Sequence, residues 1–189
     1  MRDNDLICFF MDEFMTQFNK DVVLHPRFLD ALFAYKRKVS VIFKEVLGLH
    51  DMHHIAVSYI HHNQQLLSFS STPSLEFNLF NSQLWQFDKT YDATWYNLCT
   101  TSSWPLLYVK QRFHELYYLK QLKTQLPLGF SFAVEALHGH FIYSMASHQS
   151  KQQTRELFIH ELGHFYKIGH YCKKLLNPLF EHFYSEDLG

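Results

Sequence analysis

The densest set of chemistry-bearing residues lies near the C-terminus, where His160, Glu161, Leu162, Gly163 and His164 spell H-E-x-x-H. On a continuous helix, two His residues at i and i+4 share a face and can bind Zn²⁺, while the Glu activates a metal-bound water. His170 follows at the spacing of a third metzincin ligand. One reading is therefore a zinc-dependent hydrolase that uses Glu161 as its catalytic group and His160, His164 and His170 as metal ligands. The turn glycine such a site needs three residues after the second His is replaced by Lys167. On an unbroken helix His170 points about 120° away from His164. With 14 His in the chain, an accidental match is easy. The same segment also reads as an amphipathic helix, with Leu157, Phe158, Leu162, Phe165, Ile168, Cys172, Leu175 and Leu176 in one apolar stripe. His160 and His164 fall on its edge, and Glu161 falls inside it, where a carboxylate needs a partner. Structural use of these residues is the preferred reading. Zinc is the alternative, and no cofactor is otherwise expected.

A second constellation is aromatic. The segment 83–106 carries all three Trp residues of the chain, Trp85, Trp95 and Trp104, together with Asp88 and Cys99. Long irregular connections inside a domain are often binding segments. With Tyr59, Phe69 and Tyr108, these residues make a candidate wall for an apolar ligand, and Asp88 supplies a polar group to orient it. No G-x-S-x-G, Walker loop or G-x-G-x-x-G is present, and Cys99 reads as a small buried hydrophobe rather than a nucleophile.

The elements that position these residues follow from periodicity. Helices are expected over 3–19, 27–47, 74–82, 106–124 and 151–176, the last broken by Asn177–Pro178, with Gly48 as a stop and Pro73 in a first turn. Alternation of apolar and β-branched residues predicts strands over 54–61, 66–71, 130–137 and 140–147, in two hairpins. This order implies an α+β fold, an antiparallel sheet of about five strands covered by helices, the layout of PAS-, GAF- and profilin-like sensors. Residues 1–50 read as N-terminal helices and 51–189 as an α-β-α sandwich domain.

Three pieces carry a resemblance: LEFNLFNSQLWQFDK, the turn WPLLY at 104–108, and GFSFAVEALHGHFIYSMAS at 129–147. With them, the stretch 54–176 resembles the autoinducer-binding domain of LuxR-family transcription regulators. That resemblance implies an α-β-α sandwich in which Asp88 accepts a hydrogen bond from a ligand amide and Tyr108 closes the pocket. Leu75 and Leu79 stand where the family carries a Trp and a Tyr, Lys89 where it has Pro, and no helix-turn-helix follows. Removing the Asp88 carboxylate is then expected to cost ligand affinity about 1.5–3 kcal/mol and fold stability less.

Composition bounds the function. Hydrophobic residues make up 47% and charged residues 19%, enough apolar surface for a core, so disorder is excluded as the main state. A formal net charge of −1 leaves no electrostatic footprint for nucleic acid. Three Cys without C-x-x-C spacing favour a reducing compartment. No apolar run reaches about 18 residues, and no signal peptide is seen, so a cytoplasmic protein is expected, with secretion by a signal-independent route left open. The expected partner is an apolar small molecule or a protein, with dimerisation left open. Phe9, Phe10, Phe28 and Phe33 are candidate contact residues on the first two helices. The function expected is a non-enzymatic, regulatory sensor or binding module.

Overall fold

Two hairpins form the centre of the molecule because their sequences place β-branched and aromatic residues at every second position. The computed structural model describes residues 22–185, so the helix expected over 3–19, with Phe9 and Phe10, lies outside the described residues. The strands are β1 (Val23–Leu24), β2 (His54–His61), β3 (Gln65–Ser70), β4 (Thr101–Ser103), β5 (Leu128–Ala136) and β6 (Gly139–Ser147). They form one mixed, open sheet in the order β1-β3-β2-β6-β5-β4. β1 pairs in parallel with β3, and every other pairing is antiparallel. The fold is thus α+β as expected. The sheet gains strands the sequence pattern hides, since β1 is two residues long and β4 three. No periodicity is readable over so few positions.

The helices are α1 (Phe28–Phe33), α2 (Lys36–Lys44), α3 (Pro73–Asn81), α4 (Ala93–Tyr96), α5 (Trp104–Leu107), α6 (Phe113–Tyr117), α7 (Gln152–His160) and α8 (Leu162–Ser185). Three expected helices are interrupted. The one expected over 27–47 breaks at Ala34–Tyr35, where the Tyr35 hydroxyl pairs with His182 Nε2 at 3.0 Å and its ring packs on Phe183, turning α2 against α8. The one expected over 106–124 breaks at Tyr108, which is extended and bridges to Asp88. It resumes as α6 and ends in a π-helical turn over Tyr118–Leu122. The last helix breaks at Glu161 (φ −105°, ψ 28°), while Pro178 sits inside α8 without ending it. Leu179, Phe180 and Phe183 beyond that proline are buried against Tyr59, Phe69 and Phe141. Burial of such side chains is worth about 1.5–3 kcal/mol each, enough to offset a proline in a helix at about 3 kcal/mol.

Strand alternation gives the sheet two unlike faces. From the register, Val57, Tyr59, Leu67, Phe69, Phe130, Phe132, Phe141 and Tyr143 share one face. It is large and aromatic, and α8 covers it. Gly169 of α8 lies so close to the sheet that a Cβ there would stand 2.3 Å from the Tyr143 ring. The opposite face carries Ala56, Ser58, Ser68, Ser70, Gly129, Ser131, Ala133, Ser144 and Ala146. Small side chains leave depth there, and α3 with the connection 82–122 fills it. β2 is buried along almost its whole length because both of its faces are covered. Among the described residues, no helix is long and apolar enough to cross a membrane.

Candidate functional site

The connection from Leu84 to Leu122 places its polar groups above the small-residue face. It begins with two short 3₁₀ turns, Leu84–Phe87 and Lys89–Tyr91. Asp88 lies between them and caps the second. Its Oδ1 accepts from Thr90 N at 3.1 Å and from Thr90 Oγ1 at 2.5 Å. The backbone bridge to Tyr108, with Val109 N donating to Phe87 O at 2.9 Å, ties the two arms of the connection together. The second carboxylate oxygen meets a residue that sequence reasoning missed. Lys120 Nζ donates to Asp88 Oδ2 at 2.6 Å, with both side chains buried. The same ammonium lies 4.3 Å from the ring centre of Trp104 and 5.3 Å from that of Tyr108, within cation–π range.

The aromatic walls are fixed by hydrogen bonds and by a glycine. Trp104 is fully buried, and its indole N–H donates to Ser131 Oγ at 3.2 Å. Ser131 in turn pairs with Ser144 Oγ at 2.8 Å across β5 and β6. The indole lies over Gly129, where a Cβ would come within 2.4 Å of the ring. The Tyr108 hydroxyl donates to Gln121 Oε1 at 3.1 Å, and Gln121 Nε2 donates to Pro127 O at 2.9 Å. The π-helical turn buries Leu119, Lys120 and Gln121 in succession. An α-helix cannot turn three consecutive side chains inward so well, and π turns recur at functional sites for this reason.

Two further ionisable groups complete the cluster. Glu76 of α3 is 4% exposed, and His54 at the start of β2 is 1% exposed. Burial pushes the Glu76 carboxyl up to about 7, against the opposing pull of Lys120 and a hydrogen bond from Ser70, with Asp88 adding to the rise. Burial, helped by the Lys120 and His148 charges, pushes the His54 imidazole down to about 3. His54 Nε2 stands 3.9 Å from Glu76 Oε1, too far for a hydrogen bond. With His54 neutral at physiological pH, the two are not an ion pair. His54 Nδ1 pairs with Thr72 Oγ1 at 3.1 Å, while Nε2 is buried without a hydrogen-bond partner. Burial raises the Tyr91 hydroxyl well above its ordinary value, with the Glu76 and Asp88 charges adding to the effect.

No protein-family model matches the chain, and no curated protein matches it.

The sequence candidates divide between the two faces of the sheet. Asp88, Trp104 and Tyr108 come together around Lys120. Trp85 lies in the same layer beside Phe80 and Tyr91, with ring centres at 5.6 and 6.1 Å. Trp95, on α4, is farther along, its indole N–H donating to Ser102 Oγ at 3.0 Å. Tyr59 and Phe69 are on the opposite face, packed on Phe180, and share no wall with Asp88. Phe28 is buried against Phe80 rather than offered as a contact, while Phe33 is 47% exposed. Cys99 is exposed, not the buried hydrophobe expected. Glu76 was also missed, although a carboxylate between the apolar Leu75 and Phe77 on α3 was a signal that could have found it. Lys120 gave no such signal, because the π turn shifts the helical phase that would have assigned it an orientation.

The H-E-x-x-H motif is divided by the break at Glu161. His160 ends α7 and His164 lies in α8, so the two do not share one continuous helix face. Glu161 finds its partner in His164, whose Nδ1 is 2.8 Å from Glu161 Oε2. His164 stacks on His50 and His170 on Tyr166. Among the described residues, no three His, Cys, Asp or Glu side chains gather so as to hold a metal ion.

Two surface clefts border the π-helical turn. One of about 270 Å³ is lined by Thr72, Leu75 and Asn78 on one side and Leu119, Lys123 and Leu126 on the other. A second of about 460 Å³ shares Asn78, Leu119 and Lys123. Both open between α3 and the π-helical turn, next to Lys120 in sequence, and neither is lined by Asp88 or Glu76.

Proposed function

We propose that the chain is a non-enzymatic sensor module, similar to the autoinducer-binding domains of LuxR-family regulators, that holds a small apolar molecule between the small-residue face of the sheet and the connection 82–122. The observation that carries this reading is the buried Asp88–Lys120 pair, roofed by Trp104 and Tyr108, in the layer above that face. Two buried charges and a buried carboxyl stabilise a fold poorly compared with apolar groups of the same size. Their presence beside aromatic walls fits recognition better than packing. Five antiparallel strands with helical cover on both faces support the α-β-α sandwich that the resemblance implies, and the resemblance gives Asp88 the role of the ligand's polar anchor. A ligand would enter between α3 and the π-helical turn.

The test is a thermal-shift and calorimetric screen of the purified chain against N-acyl lactones, neutral amides and alkylamines, with native mass spectrometry for a co-purified molecule. A saturable rise in Tm that is lost when Trp104 is replaced by Phe supports the reading. A protein that carries no ligand and responds to none of these classes overturns it.

A further inference from the structure

Resting on the sensor reading above, we propose that the site is an ammonium-binding cage now filled by the chain's own Lys120, and that its ligand is a small hydrophobic primary amine that takes over the Lys120 contacts. A primary ammonium offers three N–H donors and no acceptor. Lys120 Nζ spends one of them on Asp88 Oδ2 at 2.6 Å. The ring of Trp104 stands at 4.3 Å and that of Tyr108 at 5.3 Å, the arrangement that recognises organic cations. Glu76 adds a second carboxyl within reach of the Lys120 charge. His54 is 1% exposed, and its Nε2, facing Glu76 Oε1 at 3.9 Å, has no hydrogen-bond partner. A fully buried imidazole nitrogen without a partner costs about 1–3 kcal/mol, a cost that a polar ligand atom within reach would remove.

Asp88 pairs with the one ammonium directly, and Glu76 feels its charge. An anionic ligand would add negative charge beside these two carboxyl groups, so a replacement for the ammonium is what the charge arrangement accepts. Lys120 can leave: it lies on the π-helical turn between Leu119 and Lys123, residues that line both clefts between that turn and α3. A long flexible stem lets its head reach water from there while the methylenes stay on apolar surface. Lys120 thus acts as an internal stand-in that keeps the cage closed until an amine displaces it.

The experiment is chemical rescue. In Lys120→Ala, n-propylamine, which reproduces the three methylenes and the ammonium removed beyond Cβ, is expected to raise Tm by about 5–10 °C at 100 times its Kd. n-Propanol and propionate at the same concentrations should shift Tm less than a tenth as much. Adding Asp88→Asn to Lys120→Ala should abolish the response to the amine. If Lys120→Ala does not fold, phenethylamine on the unaltered protein carries the test, as a saturable heat of binding in calorimetry that is absent from Trp104→Phe. Equal responses to amine and alcohol, or no saturable response to either amine, overturn the amine assignment. Stabilisation of the unaltered protein by a neutral lactone or amide, with none by amines, overturns it while upholding the sensor reading. Silence from every class overturns both.

Discussion

Asp88 shows how a single carboxylate acquires two duties. On the resemblance alone its loss was expected to weaken ligand binding and spare the fold. The structure pairs it with a buried ammonium, so Asp88→Asn leaves Lys120 buried without its counter-charge. That is expected to cost about 3–5 kcal/mol of stability, measured by urea denaturation. Lys120→Met removes the cation but leaves Asp88 only the two donors of Thr90, so it too should destabilise. The double variant Asp88→Asn/Lys120→Met should recover most of either loss, and additive losses would show that the pair is not coupled. Glu76 gives a pH signature. Its folded-state value, about 7 against an ordinary 4.5, lies above that of the unfolded chain. Its stabilising contribution is therefore complete below about pH 4.5 and lost as pH rises through about 7. His54 works the other way: its value is depressed from 6.5 to about 3, so its contribution is present above about pH 6.5 and lost as pH falls toward 3. The two oppose each other where the windows overlap, between about pH 4.5 and 6.5. Measured at several pH values, the stability of the unaltered protein relative to Glu76→Gln should fall by on the order of 2–3 kcal/mol between pH 4.5 and 7.5. A difference that stays flat with pH would show that Glu76 titrates normally.

At the scale of elements, the two faces of the sheet dictate what can cover each. Phe130 and Phe132 alternate with Ser131 and Ala133 along β5, and Phe141 and Tyr143 with Ile142 and Ser144 along β6. The aromatic face takes a long helix with a glycine at the point of closest approach. The small-residue face takes bulky side chains delivered from above. Trp104 is the largest of these, and Gly129 is its seat. Gly129→Ala places a methyl group inside the indole's volume, so the ring must move. Overpacking of this kind costs about 1–3 kcal/mol. A lowered Tm together with a red-shifted tryptophan emission is the expected result. An unchanged emission maximum would mean that the strand, not the indole, had given way. The connection itself holds its shape through the Asp88–Tyr108 bridge and the β4–β5 pairing of Thr101 with Phe132, which is why a stretch without readable periodicity is nonetheless ordered.

At the scale of the molecule, one sheet supplies a wall to both layers, so neither layer has a core of its own. β2 is buried on both sides, and β1, contributed from the N-terminal side of α1, extends the same sheet. All three Trp residues lie in the connection 83–106 or at its end, so indole fluorescence reports the layer over the small-residue face, whereas far-UV circular dichroism reports the whole. The two unfolding curves in urea should superimpose for the ligand-free protein. A fluorescence transition that precedes the loss of dichroism would show that this layer opens on its own, as a site that must admit a ligand could do.

What the linear pattern determined is local. Alternation over 54–61 and 140–147 placed two strands to within a residue, because a half-turn per residue written in Val, Ile, Tyr and Phe has no helical counterpart. Pro73 marked a helix start through its restricted φ, whereas the helix expected to stop at Gly48 ends at Lys44, and the left-handed φ of 94° at Gly48 belongs to the turn that follows. The aromatic wealth of 83–106, and the presence of Asp88 within it, were legible in the residues themselves. Tertiary structure alone decided the rest. It put Tyr59 and Phe69 on the far face, a matter of register between strands. It broke the helix at Glu161 and carried α8 through Pro178, because burial of Phe180 and Phe183 outweighs local preference. It also brought Lys120, Glu76 and His54 to Asp88 from 32, 12 and 34 residues away along the chain. No periodicity encodes such a meeting, since the electrostatic attraction and the desolvation that tie these groups together act only once the backbone has already closed around them.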